Sequence, residues 1–362
     1  LVLIFNSLYI CSIINLVMKK EKLIFIYPSL LTFIKTEIYI LSDNFDLISI
    51  NQKWSNKFLL PLNFVVQFFF LLFNLHKVNS ILISFGGYSS FLPALLGNIF
   101  GKKVVIVVHG TDCVSFPEIN YGNLRNPLMK FFTQKSYQLA SLILPVSKSL
   151  VYTENSYFSS NILKFGYTHH LSNINTPHKV IHNGININYW QRDTLIDRDK
   201  NSFITALGKN QTIIKGVDLI VQVANNFPDY NFYIAGVDKI NISNIPKNIF
   251  LVGRLSADDL KKLYSKTQFY LQLSNSEGFG VALCEAMLCE CIPIVSSVNF
   301  LPNIIGDAGF VLKSRDPLIL TELIRNLANS NISELEKKSR LRITENFTTQ
   351  MRKEKLIKEL KS

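Results

Sequence analysis

The sequence predicts two doubly wound α/β domains that face each other across a cleft. Three observations carry this. Short Val/Ile-rich runs recur without polar alternation, the mark of strands buried on both faces and hence of parallel sheet. Helical stretches separate most of these runs, as a doubly wound sheet requires. The pattern also starts twice in a chain of 362 residues, before and after a polar segment at 186–201, and that length suits two cores rather than one.

The strand candidates of the first half are "KLIFIYP" (22–28), "DLISIN" (46–51), "SILISFG" (80–86), "KVVIVVHG" (103–110), "LILPVS" (142–147) and "KVIHNG" (179–184). Those of the second are "SFITALG" (202–208), "YNFYIAG" (230–236), "NIFLVG" (248–253), "FYLQLS" (269–274), "IPIVSS" (292–297) and "AGFVL" (308–312). Between them, 217–227 is apolar at helical spacing, and "SADDLKKLYSK" (256–266) opens with a Ser N-cap and an acidic first turn. The run "FLLPLNFVVQFFFLLFNL" (58–75) is very apolar but holds Pro61, Asn63, Gln67 and Asn74, which a spanning helix would bury in lipid. It reads either as a buried helix of the first domain or as an interfacial helix dipping into a bilayer. From Ser333 to Ser362 the chain is charged at helical spacing, a solvated amphipathic helix or a basic patch near a membrane. At the other end, residues 1–17 lack a positive n-region and a cleavage site, and are short and interrupted for a span. "MKKEKLIFIY" looks like a natural start at Met18, with residues 1–17 an upstream extension or, second, a membrane anchor.

Hydrophobic residues make up 48% and charged residues 18%, which excludes a disordered chain. The net charge of +12 favours phosphates, nucleotides, nucleic acid or an acidic bilayer. The basic residues are dispersed and the aromatics sit in apolar runs, so no nucleic-acid motif is present. The five cysteines (Cys11, Cys113, Cys284, Cys289, Cys291) have no zinc-site spacing and read as free thiols of a reducing cytoplasm.

The chemistry concentrates in "LQLSNSEGFGVALCEAM". It reads as strand, turn and helix, with Glu277 in the turn and the helix running from about Gly280 to Met287. Gly278 and Gly280 permit unusual backbone angles and close approach of a ligand. The free N–H groups and dipole of the helix N-terminus suit a diphosphate. Glu277 faces the cleft at the strand's carboxyl end. Glu285 lies more than a turn further on, where a carboxylate accepts from the vicinal hydroxyls of a ribose. A nucleotide-sugar is the ligand implied; the plainer reading is a glycine-rich turn with two surface glutamates.

The stretch "EGFGVALCEAMLCECIPIVSS" resembles the donor-site signature of family 4 glycosyltransferases: a Glu, seven residues, a second Glu, then Ala-Met and a Pro-Ile-Val strand. The resemblance implies GT-B architecture, two Rossmann-like domains, with domain limits of 18–187 and 188–345. It implies that Glu277 meets the donor sugar's hydroxyls and Glu285 the ribose, and that backbone around Phe279, Gly280 and Val281 receives phosphate. "ALGKNQTIIKGVDL" resembles the segment whose Arg and Lys clamp the diphosphate. Lys215 matches the Lys, whereas Lys209 stands where the family has Arg, keeping the charge but not the two-pronged fork. "FLVGRLS" resembles the stretch that borders the nucleobase, around Gly253, Arg254 and Leu255. "NFT" (346–348) resembles the point where a terminal helix, 346–362, crosses back to the first domain.

On the acceptor side, "VVHGTD" sets His109 at a strand end. The resemblance puts it near the donor sugar and makes it a catalytic candidate beside Glu277 and Lys215. Asp112 reads as an acceptor contact or a turn residue, and Gly86 and Gly87 as sites of backbone approach. "YPSLLTF" lacks the glycine-rich loop of many relatives. The expected reaction moves a sugar, with retention, from a nucleotide diphosphate-sugar to a hydroxyl of a lipid-linked or cell-surface glycan. No cofactor or metal is expected, since no Asp-x-Asp stands near the site. The expected place is cytoplasmic, peripheral at the inner face of the cell membrane, with an anionic membrane surface as a further partner and no nucleic acid. The alternatives are an epimerase or hydrolase of the same fold, or a non-catalytic membrane-associated protein with a degenerate donor site. A dinucleotide-binding dehydrogenase fails for want of G-x-G-x-x-G after a strand.

Overall fold

The computed structural model describes residues 20–362 apart from 51 and 55, so the expectations for 1–17 and Met18 lie outside the described residues. The first domain runs β1 (Glu21–Ile26), α1 (Thr32–Ser42), β2 (Phe45–Ser49), α2 (Leu60–Asn74), β3 (Ser80–Ser84), α3 (Tyr88–Ile99), β4 (Lys103–Val108), α4 (Pro127–Leu139) and β5 (Leu142–Pro145). These strands form one parallel sheet in the order β2-β1-β3-β4-β5. The apolar runs of β1, β3 and β4 are buried on both faces, and this is why they do not alternate. A small antiparallel hairpin, β6 (Thr153–Asn155) and β7 (Leu163–Phe165), and the short helix α5 (Tyr167–His170) follow; the sequence reading had not resolved them.

The second domain runs β8 (Asp199–Ala206), α6 (Val217–Ala224), β9 (Asn231–Ala235), β10 (Ile249–Leu251), α7 (Ala257–Lys266), β11 (Thr267–Gln272), α8 (Val281–Leu288), β12 (Ile292–Ser296), α9 (Leu301–Ile305), β13 (Phe310–Leu312), α10 (Pro317–Asn326), α11 (Ile332–Asn346) and α12 (Thr349–Lys361). Its parallel sheet has the order β10-β9-β8-β11-β12-β13. The Ser256 hydroxyl caps α7 by accepting from the Asp259 amide at 3.1 Å.

Three expectations need correction. The stretch 179–184 is not a strand, although the Lys179 and Ile181 amides donate to β5 carbonyls at 3.0 and 3.1 Å. Its Ile181 and His182 carbonyls instead accept from the Arg352 guanidinium at 2.9 and 2.8 Å, so a side chain takes the place of a further ladder. The terminal charged stretch is two helices, broken at Phe347 and Thr348, where the Thr348 hydroxyl caps α12 by accepting from the Met351 amide. α11 packs on α8 and β12, whereas α12 packs on α1 of the first domain. There Arg352 is buried in an ion pair with Glu37, and Lys353 pairs with Asp43. Finally, α2 is not a buried helix: only Gln67 and Leu71 of its residues are buried.

Candidate functional site

A cleft of ≈ 340 Å³ opens where the carboxyl ends of β4, β8 and β11 meet the first turn of α8. Ligands of open parallel sheets gather at such strand ends. Glu277 is held here from several sides. Its amide donates to Asn299 Oδ1 at 2.9 Å. Its Oε2 accepts from Lys215 Nζ at 2.5 Å, Gln272 Nε2 at 2.7 Å and Ser274 Oγ at 3.3 Å. Lys215 reaches Glu277 from the loop before α6, which ends at Gly216 with φ +69°. A Cβ on Gly216 would stand 2.3 Å from the Leu273 carbonyl oxygen, so the loop packs on the end of β11 only with glycine there.

Gly280, Val281 and Phe279 line the same cleft, and Gly280 caps α8 with φ +106°. Gly278 does something other than bare its backbone to phosphate. A Cβ there would lie 1.9 Å from the His109 carbonyl oxygen, and the Ser147 hydroxyl donates to the Gly278 carbonyl at 2.7 Å. Gly110, at φ +134°, would set a Cβ 3.0 Å from Gly278 Cα. Backbone of one domain therefore touches backbone of the other beside the cleft. The Phe279 ring is buried and stacks on His182 at 5.7 Å, so only part of this residue is free for a ligand.

His109 lines the cleft, its imidazole set 4.6 Å from the Phe33 ring and 4.5 Å from the Phe85 ring. Burial, with a smaller contribution from the Arg352 charge, holds its pKa well below the usual histidine value, so the ring is neutral at pH 7. Nε2 is buried and meets no hydrogen-bond partner among the described residues. Glu285, on α8, is also buried, and burial alone pushes its carboxyl up to about 8. It is not part of the cleft wall that holds Glu277.

Other expected residues fall elsewhere. Asp112 is not an acceptor contact. It is fully buried and accepts from the amides of Gly86 (2.9 Å), His109 (3.2 Å) and Gly110 (3.0 Å) and from the Tyr137 hydroxyl (3.0 Å). It thus ties the ends of β3 and β4 together. Gly86 and Gly87 line a second cavity of ≈ 230 Å³ in the first domain, with Trp54, Phe85, Thr111 and Met129. Lys209 is exposed and outside the cleft wall. Gly253, Arg254 and Leu255 also lie outside it; Gly253 accepts from the Gly236 amide at 2.7 Å and so joins the ends of β9 and β10. The sequence reading missed Gln272, Ser274 and Asn299, which fix Glu277, and the Phe33 and Phe85 walls of His109. The polar Gln272 and Ser274 at the end of an apolar strand were the available signal. Phe85, a non-glycine at φ +69°, had none.

The two facing parallel-sheet domains give the chain the GT-B fold, as in solved glycosyltransferases. A sucrose-phosphate synthase from Thermosynechococcus elongatus superposes with TM-score 0.74 at 13% identity, covering 95% of this chain and 98% of that one. Anabaena HepE, solved with UDP and glucose, superposes with TM-score 0.64 at 13% identity, over 94% of this chain and 100% of that one. Residues 191–349 match the family described as glycosyl transferases group 1. An uncharacterized glycosyltransferase of Methanocaldococcus jannaschii is 26% identical over 249 residues, 66% of this chain. The match spans 62% of that relative's length, less than two thirds. A GDP-mannose:cellobiosyl-diphosphopolyprenol alpha-mannosyltransferase of Xanthomonas oryzae is 29% identical over 120 residues, 30% of this chain and 32% of that protein.

Proposed function

We propose that the protein transfers a sugar from a nucleotide diphosphate-sugar to a hydroxyl of a lipid-linked or cell-surface glycan. The observation that carries this is the Lys215–Glu277 pair in the cleft beside the first turn of α8. When the glycosidic bond to the leaving diphosphate breaks, negative charge grows on phosphate oxygen. The Lys215 ammonium and the free amides of α8 face that charge and stabilise it. Glu277 Oε2 already accepts three hydrogen bonds, which leaves Oε1 for the donor sugar's hydroxyls. The neutral His109, with a free ring nitrogen, is the further polar group for the sugar. The same reading gives the ribose hydroxyls to Glu285, on α8 and outside the cleft wall that holds Glu277. Retention of configuration, with the leaving phosphate taking the acceptor's proton, and action without a metal belong to the same proposal. So does a peripheral place at the inner face of the cell membrane, supported by the exposed apolar face of α2 and by the Xanthomonas relative, whose name states a polyprenol-linked acceptor.

The test is release of nucleoside diphosphate, without added metal, across UDP-, GDP- and ADP-sugars. Release from one donor is expected, with Lys215→Ala slowing it by about 10²-fold or more. No release and no donor binding by calorimetry would move the reading to a degenerate, non-catalytic donor site.

A further inference from the structure

The helix α2 is amphipathic with its faces reversed. Asn63 and Gln67, at helical spacing, turn toward the domain: Asn63 Nδ2 donates to the Lys53 carbonyl at 3.0 Å and Gln67 Nε2 to the Ser89 carbonyl at 2.9 Å. The opposite stripe is apolar and open to solvent. Phe58, just before the helix, is 94% exposed, and Leu62, Val65, Phe69 and Phe73 are 58%, 53%, 50% and 63% exposed. A helix that faced water alone would carry these two faces the other way round. The neighbouring α4 adds exposed Leu128 and Phe131, and its Phe132 ring lies 5.5 Å from Phe64 of α2. An apolar face of this size on one side of a domain marks a surface that something covers.

Charge selects the occupant. Residues 47–111, which include α2 and α3, contain Lys53, Lys57, Lys77, Lys102 and Lys103 and no Asp or Glu. Residues 119–153, which include α4, contain Arg125, Lys130, Lys135 and Lys148 and again no acid. A second copy of this chain meeting the same face would oppose like charges. A bilayer with anionic headgroups accepts the apolar stripe and the lysines together. The stretch Leu60–Lys77 is also apolar and long enough to cross a membrane. Its inward polar face, bonded to the first domain, holds it along the protein instead.

We propose that the outer face of α2, with the adjoining part of α4, seats the protein on an anionic lipid bilayer, and that the cavity at its edge receives the polar head of a bilayer-anchored acceptor. Trp54 links the two: its ring lies 5.2 Å from Phe64 of α2 and lines the cavity with Gly87, Thr111 and Met129. On its other side the cavity is walled by Phe85, whose ring lies tilted at 4.5 Å from the His109 ring of the donor cleft. An acceptor head lifted from the bilayer thus lies one aromatic wall from the proposed donor sugar. The word acceptor rests on the transfer reading above; the bilayer face does not.

Flotation of the full chain with phosphatidylglycerol vesicles, against phosphatidylcholine vesicles, tests this. The protein is expected to float with the anionic vesicles. The double variants Phe69→Ser/Phe73→Ser and Lys130→Glu/Lys135→Glu are each expected to weaken that binding by about tenfold or more, with release of nucleoside diphosphate from free donor unchanged. A fluorophore on Phe69→Cys in a Cys11→Ser background is expected to be quenched by spin-labelled lipid, while one on Leu318→Cys is not. Undiminished flotation of both double variants, or equal quenching at the two positions, overturns the proposal. So does a dimer in sedimentation that the Phe69→Ser/Phe73→Ser variant dissociates, because a second copy then covers the face. Vesicle binding that behaves as expected while no donor is cleaved would sink the transfer reading and leave the bilayer face standing.

Discussion

Glu285 and Glu277 share one motif but live in different surroundings. Glu277 is surrounded by donors, whereas burial raises the Glu285 carboxyl from 4.5 to about 8. Between those two values the folded chain holds a proton that the unfolded chain has released, so Glu285 lowers stability as pH rises from about 4.5 to about 8. Glu285→Gln is therefore expected to stabilise the protein at pH 8, by on the order of a few kcal/mol, and to leave it nearly unchanged near pH 4. Urea unfolding at both values checks this. The same variant is expected to bind nucleotide more weakly at pH 8, since an amide is a poorer acceptor for ribose hydroxyls than a carboxylate. Equal effects on unfolding at the two pH values would mean that the carboxyl is not a buried acid. Both glutamates were legible in the sequence because their spacing on a strand–turn–helix is a local property. Their difference was not, because burial is not local.

At the level of elements, the turn between β11 and α8 carries two demands at once. It offers the α8 amides to the cleft, and it lets the two domains touch at Gly278 and Gly110. The Cβ of Gly278→Ala would stand 1.9 Å from a carbonyl oxygen of the other domain, where no flexible side chain is present to yield. This substitution is expected to cost about 1–3 kcal/mol of stability or to push the domains apart. Small-angle scattering would then show a larger radius of gyration, and turnover would fall. Unchanged scattering and turnover would count against the closed contact. The glycines were visible in the sequence, but their spacing cannot distinguish a glycine that admits a phosphate from one that admits another backbone. For a related reason the sequence left Asp112 open between an acceptor contact and a turn residue, and the structure makes it the latter. A carboxylate at a strand end resembles a ligand contact until the loops around it supply four donors and bury it.

Over the whole molecule, the last helix binds the two halves. Arg352 of α12 pairs with Glu37 of α1 and holds the Ile181 and His182 carbonyls, all deep in the first domain. Arg352→Ala leaves Glu37 buried without its partner and is expected to cost about 3–5 kcal/mol. The pair Arg352→Met/Glu37→Leu is expected to recover part of that, the rest being the two carbonyls left without a donor. Chemical denaturation of the three proteins measures it; a cost below about 1 kcal/mol for the single change would mean that water reaches the pair. By itself the sequence determined the alternation of strands and helices, the repeat of that pattern in two domains, and the glutamate segment at the second domain's strand ends. These follow from periodicity and local spacing. The tertiary structure alone decided that Gly278 meets the other domain, that Asp112 is internal, that Arg352 is a buried clasp and that α2 turns its apolar side outward. Each depends on which surfaces distant segments present to one another. Hydrophobic content says that a helix has an apolar face, but only packing says whether that face meets protein or solvent.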